Sequence, residues 1–323
     1  MAKLQLTLAC GDYDFLRPLI NGEIQPQGIE LNVLTMPSPE RHGRMLRHEE
    51  FDVCELSLIG YLVARDKDCN YNAIPVFPHR RFRHQYMVKR NGCGIEKPSD
   101  LNGKRVALDT LQNSAGLWMR GILQDHYGVD LKTIEWWCQE EEDIAFEPAK
   151  WMNVKRVPQG KNVDQMLLDG ELEAALYPET LPSIRNANPK VALLFSDPKK
   201  AEIEYYKNGG FFPIMHTVVV KNPILAEHPW VGVSLVRAFQ QAKEMCYARN
   251  SDPRSFALVW VQDLVREQKE IFGADPWPYN LDDNRQALEA VIRYEFEQGM
   301  IKKKPNVEDL FFAPSLQRIQ HYV

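Results

Sequence analysis

Leu4, Leu6 and Leu8 alternate with polar residues, and this period of two predicts a β-strand from Leu4 to Ala9. Gly11 and Asp12 mark a turn, a short helix is expected from about Asp14, and Ile29 to Leu34 reads as the next strand. Further on, Arg105 to Leu108 predicts another strand. Ser114 then stands where it can cap a helix in which Leu117, Trp118, Gly121 and Ile122 share one face, with Gly128 at its end. Strands and helices that alternate in this way predict parallel sheets covered by helices, an α/β fold.

Two internal echoes point to a pair of similar lobes. Met45-Leu46 followed by Glu50-Phe51-Asp52 is matched in spacing by Met166-Leu167 followed by Glu171-Leu172-Glu173, and each set would end a helix and enter a buried strand. Phe77-Pro78 precedes His79, His84 and a strand from Tyr86 to Lys89, while Phe212-Pro213 precedes His216 and a strand from Thr217 to Lys221. One such extended segment would leave the first lobe and the other would return to it, giving two hinge crossings. Lobe 1 is therefore expected over residues 1–89 and 218–323, lobe 2 over residues 90–217, and a ligand cleft between them. The last clear helix, with Leu288, Val291, Ile292 and Phe296 on one face and Gly299 at its end, is expected to pack on lobe 1.

Composition narrows the picture. The 323 residues suffice for two lobes of ordinary domain size. With 44% apolar and 26% charged residues, and no apolar run near the roughly 20 residues that span a bilayer, no transmembrane helix is expected. The start lacks the apolar core of roughly 7 to 15 residues that marks a signal peptide, so the protein is expected to stay in the cytoplasm, away from any membrane. Six scattered cysteines without a C-x-x-C spacing argue against a disulfide framework or a zinc ribbon. A net charge of −5 argues against a nucleic-acid partner.

In open parallel sheets, ligands bind beyond the carboxyl ends of the strands. The informative residues are then Cys10, Gly11, Asp12, Tyr13 and Asp14 after the first strand, Glu55 and Ser57 after Phe51 to Cys54, Gln112, Asn113 and Ser114 after Leu108, and Tyr177 after Leu176. The hinge segments add His79, Arg80, Arg83, His84 and His216. Asp14 can simply cap the first helix, and the helix start at Ser114 can be capped and still receive an anion. Arginine grips a carboxylate with two parallel hydrogen bonds; in an extended chain Arg81 and Arg83 share one side and Arg80 takes the other. Surface ion pairs are the alternative use of these arginines. His216, set among apolar residues, is left open as a core residue or a catalyst. No H-E-x-x-H is present, so no metal is expected. The runs Glu140-Glu141-Glu142-Asp143 and Lys302-Lys303-Lys304 read as solvated loops, and Trp136, Trp137 and Trp277 as packing residues.

Ala9-Cys10-Gly11-Asp12-Tyr13-Asp14, Phe77-Pro78 with Phe82-Arg83-His84, Phe212-Pro213-Ile214-Met215-His216 and Asp309-Leu310-Phe311-Phe312-Ala313-Pro314 together resemble the 4,5-dihydroxyphthalate decarboxylase family. Similar stretches from Trp118 to Gly128 and from Asp275 to Gly299 extend the resemblance over nearly the whole chain. The resemblance implies a two-lobed type II periplasmic-binding-protein-like fold, each lobe a mixed, mostly parallel sheet flanked by helices, with two hinge crossings. It implies non-oxidative loss of one carboxylate from 4,5-dihydroxyphthalate, giving protocatechuate and carbon dioxide, without an organic cofactor. The chain departs from the family pattern at Phe15-Leu16 and at Tyr177-Pro178-Glu179-Thr180, both beside the expected cleft.

Such a reaction needs a cationic clamp on the retained carboxylate, an acceptor near the phenols and an acid over the ring carbon. Arg80 and Arg83 are expected on carboxylate. Asp12, Asp14 or Glu55 are expected near the hydroxyls, His84 or His216 as proton donor, and Ser114, Ser57 and Tyr177 as further contacts. The small aromatic carboxylate is the expected partner, and a homo-oligomer fits a chain of this size. The rival expectation is a solute-binding or sensor protein for a similar ligand that performs no chemistry, since one fold serves both purposes. A decarboxylase or hydrolase of a related ring acid is a third reading.

Overall fold

The computed structural model describes residues 2–209 and 211–316. In chain order its strands are β1 (Leu4–Cys10), β2 (Ile29–Thr35), β3 (Val53–Ser57), β4 (Tyr71–Arg80), β5 (Met87–Arg90), β6 (Arg105–Leu108), β7 (Glu135–Cys138), β8 (Asn153–Arg156), β9 (Ala174–Leu176), β10 (Val191–Leu193) and β11 (Ile214–Lys221). They fall into two compact units. Of the described residues, unit 1 holds those up to Arg80, then His216–Arg285 and those from Pro305; unit 2 holds those within Arg81–Met215 and Gln286–Lys304. The boundary after Arg80 comes earlier than the expected one at residue 89, because β5 already pairs with β9 of unit 2. Among the described residues no helix is long and apolar enough to cross a membrane.

The unit 1 sheet has the order β2-β1-β3-β11-β4. β1 runs parallel to β2, from Leu4 opposite Ile29 to Cys10 opposite Thr35, and parallel to β3 on its other side. β11 returns antiparallel to β3, with Val218 opposite Glu55 and His216 opposite Ser57. The helix Trp230–Asn250 turns Val231, Leu235, Phe239, Ala242 and Cys246 inward at helical spacing. The Asp309–Pro314 stretch lies along β4: Phe312 N donates to Ala73 O at 2.8 Å, and the Phe311 and Phe77 rings meet edge-on.

The unit 2 sheet has the order β10-β5-β9-β6-β7-β8, parallel from β9 through β8 and antiparallel where β5 joins β9 and β10. Its core is built from Val88, Ala107, Val163, Met166, Leu167, Leu172 and Ala175. The echo in the sequence is a structural one. Met45 and Met166 are buried on the helices Ser38–His48 and Val163–Leu168. The acids that follow do the same work: Thr7 N donates to Asp52 Oδ2, and Arg105 N to Glu173 Oε2, both at 2.9 Å.

The last long helix, Arg285–Glu297, overturns an expectation. Its apolar positions Leu288, Val291 and Ile292 are buried as read, but from Gln286 onward it belongs to unit 2. Its partner is the helix Ser114–Tyr127. A Cβ on Gly121 would collide with the Tyr294 ring, so glycine is required there. Trp118 meets Tyr294 edge-on, and Arg120 Nε donates to Gln298 Oε1 at 2.6 Å. Phe296 lies outside that face, 41% exposed, with the Lys304 ammonium over its ring.

Candidate functional site

Side chains two residues apart on a strand point the same way. Because His216 faces Ser57 across the β3–β11 pair, it lies diagonal to Glu55 on one face of the sheet, within reach of a long side chain. The structure uses that reach. His216 Nδ1 sits 2.5 Å from Glu55 Oε1, with the glutamate fully buried. Tyr13 Oη donates to Oε1 at 2.8 Å and Gly11 N to Oε2 at 2.7 Å, so the loop after β1 closes on the same carboxylate.

Arg41 completes the charge balance. Its Nη2 lies 3.0 Å from Glu55 Oε2, its Nε donates to the Glu55 backbone oxygen at 2.8 Å, and its Nη1 donates to Met36 O at 2.6 Å. Both partners are wholly buried. Two more imidazoles frame His216. His79 presents Nδ1 to His216 Nε2 at 3.5 Å, its ring roughly perpendicular, and His42 stands edge-on with ring centroids 4.6 Å apart. Burial, then the charge of a protonated His216 and of Arg41, pushes His42 well below the usual histidine range, so it stays neutral. Burial and then the Glu55 charge hold the Tyr13 phenol far above its ordinary range and push the Cys10 thiol up to about 12. The cluster thus holds one carboxylate with a fixed cation on one oxygen and a histidine on the other, the parts of a proton-transferring pair.

The other expected residues of unit 1 also have other partners. Asp12 is exposed and forked by Arg17 Nε and Nη2 at 2.7 and 2.9 Å, a local ion pair. Asp14, also exposed, accepts from the neighbouring Phe15 N at 2.8 Å inside a short 3-10 turn capped by Tyr13. Ser57 caps the helix Leu58–Arg65 by accepting from Gly60 N at 3.2 Å. Arg80 is buried and donates to Asn284 Oδ1 and to Pro278 O.

In unit 2, Arg83 is buried, and its Nε and Nη2 face the Met215 thioether at 3.3 and 2.8 Å while Nη1 donates to Pro178 O at 3.0 Å. It has no carboxylate in ion-pair range among the described residues; burial, then Arg81, lowers it to about 9. His84 is enclosed by Tyr127, Phe195 and Tyr205, with Nε2 3.0 Å from Tyr127 Oη, and burial lowers it to about 4. Ser114 is not the helix cap: Asn113 accepts from Ala115 N at 2.8 Å, and the Ser114 hydroxyl donates to Met215 O. Tyr177 is half-buried and pushed up by burial, then by Asp109. Glu142 departs from its reading as solvated loop, since its carboxylate accepts from Leu111 N and Gln112 N at 2.8 and 3.0 Å.

Of the expected residues, the structure brings Glu55 and His216 together. Sequence reasoning named Tyr13 in its loop without a role, and it did not single out Arg41 and His42. The available signal was Met45: on a helix, Arg41 lies one turn before it on the same face, which puts a charge on a face that must be buried.

Several comparisons bear on this geometry. Residues 16–181 match the family described as ABC transporter, phosphonate, periplasmic substrate-binding protein. The 4,5-dihydroxyphthalate decarboxylase of Comamonas testosteroni is 33% identical, over 98% of this chain and 99% of that protein. The 4,5-dihydroxyphthalate decarboxylase of Pseudomonas putida is 35% identical, over 64% of this chain and 83% of that protein. The periplasmic aliphatic sulphonate binding protein of Escherichia coli aligns with a TM-score of 0.57 and 12% identity, covering 97% of this chain and 98% of that one. At such identity the likeness speaks for the fold alone, the two-lobed α/β architecture of the type II periplasmic binding proteins.

Proposed function

Because the chain belongs to the 4,5-dihydroxyphthalate decarboxylase family, we propose that it is a carboxy-lyase acting on a hydroxylated aromatic dicarboxylate, first of all converting 4,5-dihydroxyphthalate to protocatechuate and carbon dioxide. The observation that carries this reading is the buried pair of Glu55 and His216.

Each carboxylate of that substrate has a hydroxyl para to it, which pushes electron density onto the carbon that must lose carbon dioxide. An acid has to protonate that carbon. We assign His216 as the acid. Glu55 at Nδ1 orients the ring and balances its second proton, while Arg41, Tyr13 and Gly11 N keep Glu55 in place. The Nε2 proton goes to the ring carbon, the bond to the carboxylate breaks, its electron pair restores the aromatic ring, and carbon dioxide leaves. His216 is then neutral with its remaining proton on Nδ1. In unit 2, Arg83 suits carboxylate recognition, since a buried cation whose partners are a thioether and a carbonyl gains most from an anion.

A second reading is favoured by the match to a substrate-binding family over residues 16–181: a binding protein for the same class of acid. One assay separates the two. The purified protein is incubated with 4,5-dihydroxyphthalate and related hydroxybenzoates, and carbon dioxide release is followed beside thermal shift. The decarboxylase should release one carbon dioxide per substrate consumed. His216→Ala should lose about 10² to 10⁴ in kcat while remaining folded. Stabilisation without turnover across the panel would overturn the enzyme reading in favour of the binding protein.

A further inference from the structure

We infer that Phe15 and Trp277 form a rigid aromatic wall that takes the ring of the ligand and so selects an aromatic over a saturated dicarboxylate. The inference rests on the reading of the Glu55 and His216 cluster as the ligand site.

A row of rings in unit 1 starts from that cluster. The Tyr13 hydroxyl donates to Glu55 Oε1, the oxygen that also meets His216 Nδ1. The Tyr13 ring is stacked on Phe15, with centroids 5.4 Å and planes 12° apart, and Phe15 meets the Trp277 ring at 5.9 Å and 41°. All three residues are partly exposed. Partly exposed rings that adjoin a few fixed polar groups are the usual lining of a small-molecule site.

What sets this row apart from surface packing is how Trp277 is held. Its backbone is fixed on both sides: Trp277 N donates to Asp275 Oδ1 at 3.0 Å, and Trp277 O accepts from Lys243 Nζ at 2.6 Å. Pro276 and Pro278 flank it and restrict the chain further. Lys243, fully buried on the helix Trp230–Asn250, also pairs with Asp275 Oδ2 and has the Tyr279 ring centroid 4.2 Å from its ammonium. One helical turn on, Tyr247 Oη donates to Asp275 Oδ1 at 2.9 Å. Pro278 O in turn accepts from Arg80 Nη2 and Asn284 Nδ2 at 3.2 and 2.9 Å. A lysine removed from water adds little net stability, because desolvation offsets its pairing. Its hydrogen bonds go to residues 275 and 277, so what it secures is the position of the tryptophan. A ring held in place before the ligand arrives loses little freedom on binding.

The test compares phthalate with cis-cyclohexane-1,2-dicarboxylate, which carry the same two carboxylates on a flat ring and on a saturated one. Calorimetry gives the dissociation constant of each. Two ring contacts should give the wild type a preference of about tenfold for phthalate. Trp277→Leu should bring that ratio down to about threefold by weakening phthalate alone, and Phe15→Leu should do the same, standing in should the first variant fail to fold. Trp277→Phe keeps a ring and should keep most of the preference. A merely structural role would weaken both acids alike and leave the ratio unchanged, and that result would overturn the inference. So would a Trp277→Phe variant as impaired as Trp277→Leu, or a wild type that binds phthalate no better than the saturated acid or binds neither. No turnover enters the measurement, so the two readings fail separately: wild-type protein that shows the preference but releases no carbon dioxide from 4,5-dihydroxyphthalate would sink the decarboxylase reading and leave the wall in place.

Discussion

In unit 1 the strand that follows Asp52 carries Glu55; in unit 2 the strand that follows Glu173 carries Leu176 at the same place. The registers agree, with Glu55 opposite Val218 and Leu176 opposite Met87. The preceding helices differ in the same sense. Arg41 and His42 of unit 1 correspond to Asn162 and Val163 of unit 2, where Asn162 is an exposed cap and Val163 is a core residue. One scaffold therefore closes equally well over an apolar leucine or over a charged cluster. The teaching is that Glu55 and Arg41 are not demanded by the fold. A buried ion pair is weak evidence for stability, since desolvation offsets most of its attraction, so the pair is better explained by the chemistry proposed for His216.

The largest effect should come from breaking the pair on one side. Glu55→Gln leaves Arg41 buried without its anion, and about 3 to 5 kcal/mol of stability should go. Turnover should fall by about 10² to 10⁴ as His216 loses the group that orients it. Glu55→Leu combined with Arg41→Met brings the site close to the apolar state of unit 2. Denaturant unfolding should then show most of the lost stability restored, while carbon dioxide release stays absent. A double variant as unstable as the single one would mean that the charges serve the fold, and the contrast between the units would lose its meaning.

Much of that contrast was legible in the sequence. The spacing from Met45 to Asp52 and from Met166 to Glu173 is local, and helix-to-strand periodicity exposes it. Glu55 and His216 stood out because each lies among apolar strand residues, where a polar residue is conspicuous. Arg41 and His42 were hidden because the helix Ser38–His48 is polar nearly throughout, so two buried polar side chains do not disturb its pattern. Asp12 adjoins the loop that reaches Glu55, but its carboxylate turns outward to Arg17. The helix Arg285–Glu297 showed its apolar stripe, whereas its partner depended on a fit between Gly121 and Tyr294 that no periodicity reports.

A smaller effect sharpens the comparison at the end of β6. In unit 1 the residue after β1 is Gly11, whose amide serves Glu55; in unit 2 the residue after β6 is Asp109. Burial, then the charges of Glu140, Glu142 and Glu179, pushes the Asp109 carboxyl up to about 6, against a modest opposing bond from Asn113 Nδ2. A carboxyl whose folded pKa is raised binds more protons in the native state than in the unfolded one between about pH 4 and 6. Its contribution to stability is therefore present below about pH 4 and is lost as pH rises through about 6. Asp109→Asn removes this titration, so wild-type stability measured relative to the variant should decline across that window. A flat difference from pH 4 to 7 would show that Asp109 is solvated like an ordinary surface acid.

The smallest effect belongs to the pair that the units share. Asp52 and Glu173 each accept an amide from the strand beside them, and an amide side chain still offers an oxygen to that donor. Asp52→Asn should therefore cost only the charge-assisted part of one hydrogen bond, within about 1 kcal/mol. Glu173→Gln should cost somewhat more, because its carboxylate also takes Arg105 Nε at 3.0 Å and pairs with the Nη2 of the same guanidinium. The two acids share no partner, so the double variant should lose the sum of the single losses. Additivity in denaturant unfolding would mark them as two copies of one local device that pins a helix-to-strand turn to the neighbouring strand. Marked coupling between them would instead tie the two turns into one cooperative element, and the residue-by-residue equivalence that sets Glu55 beside Leu176 would need a different basis.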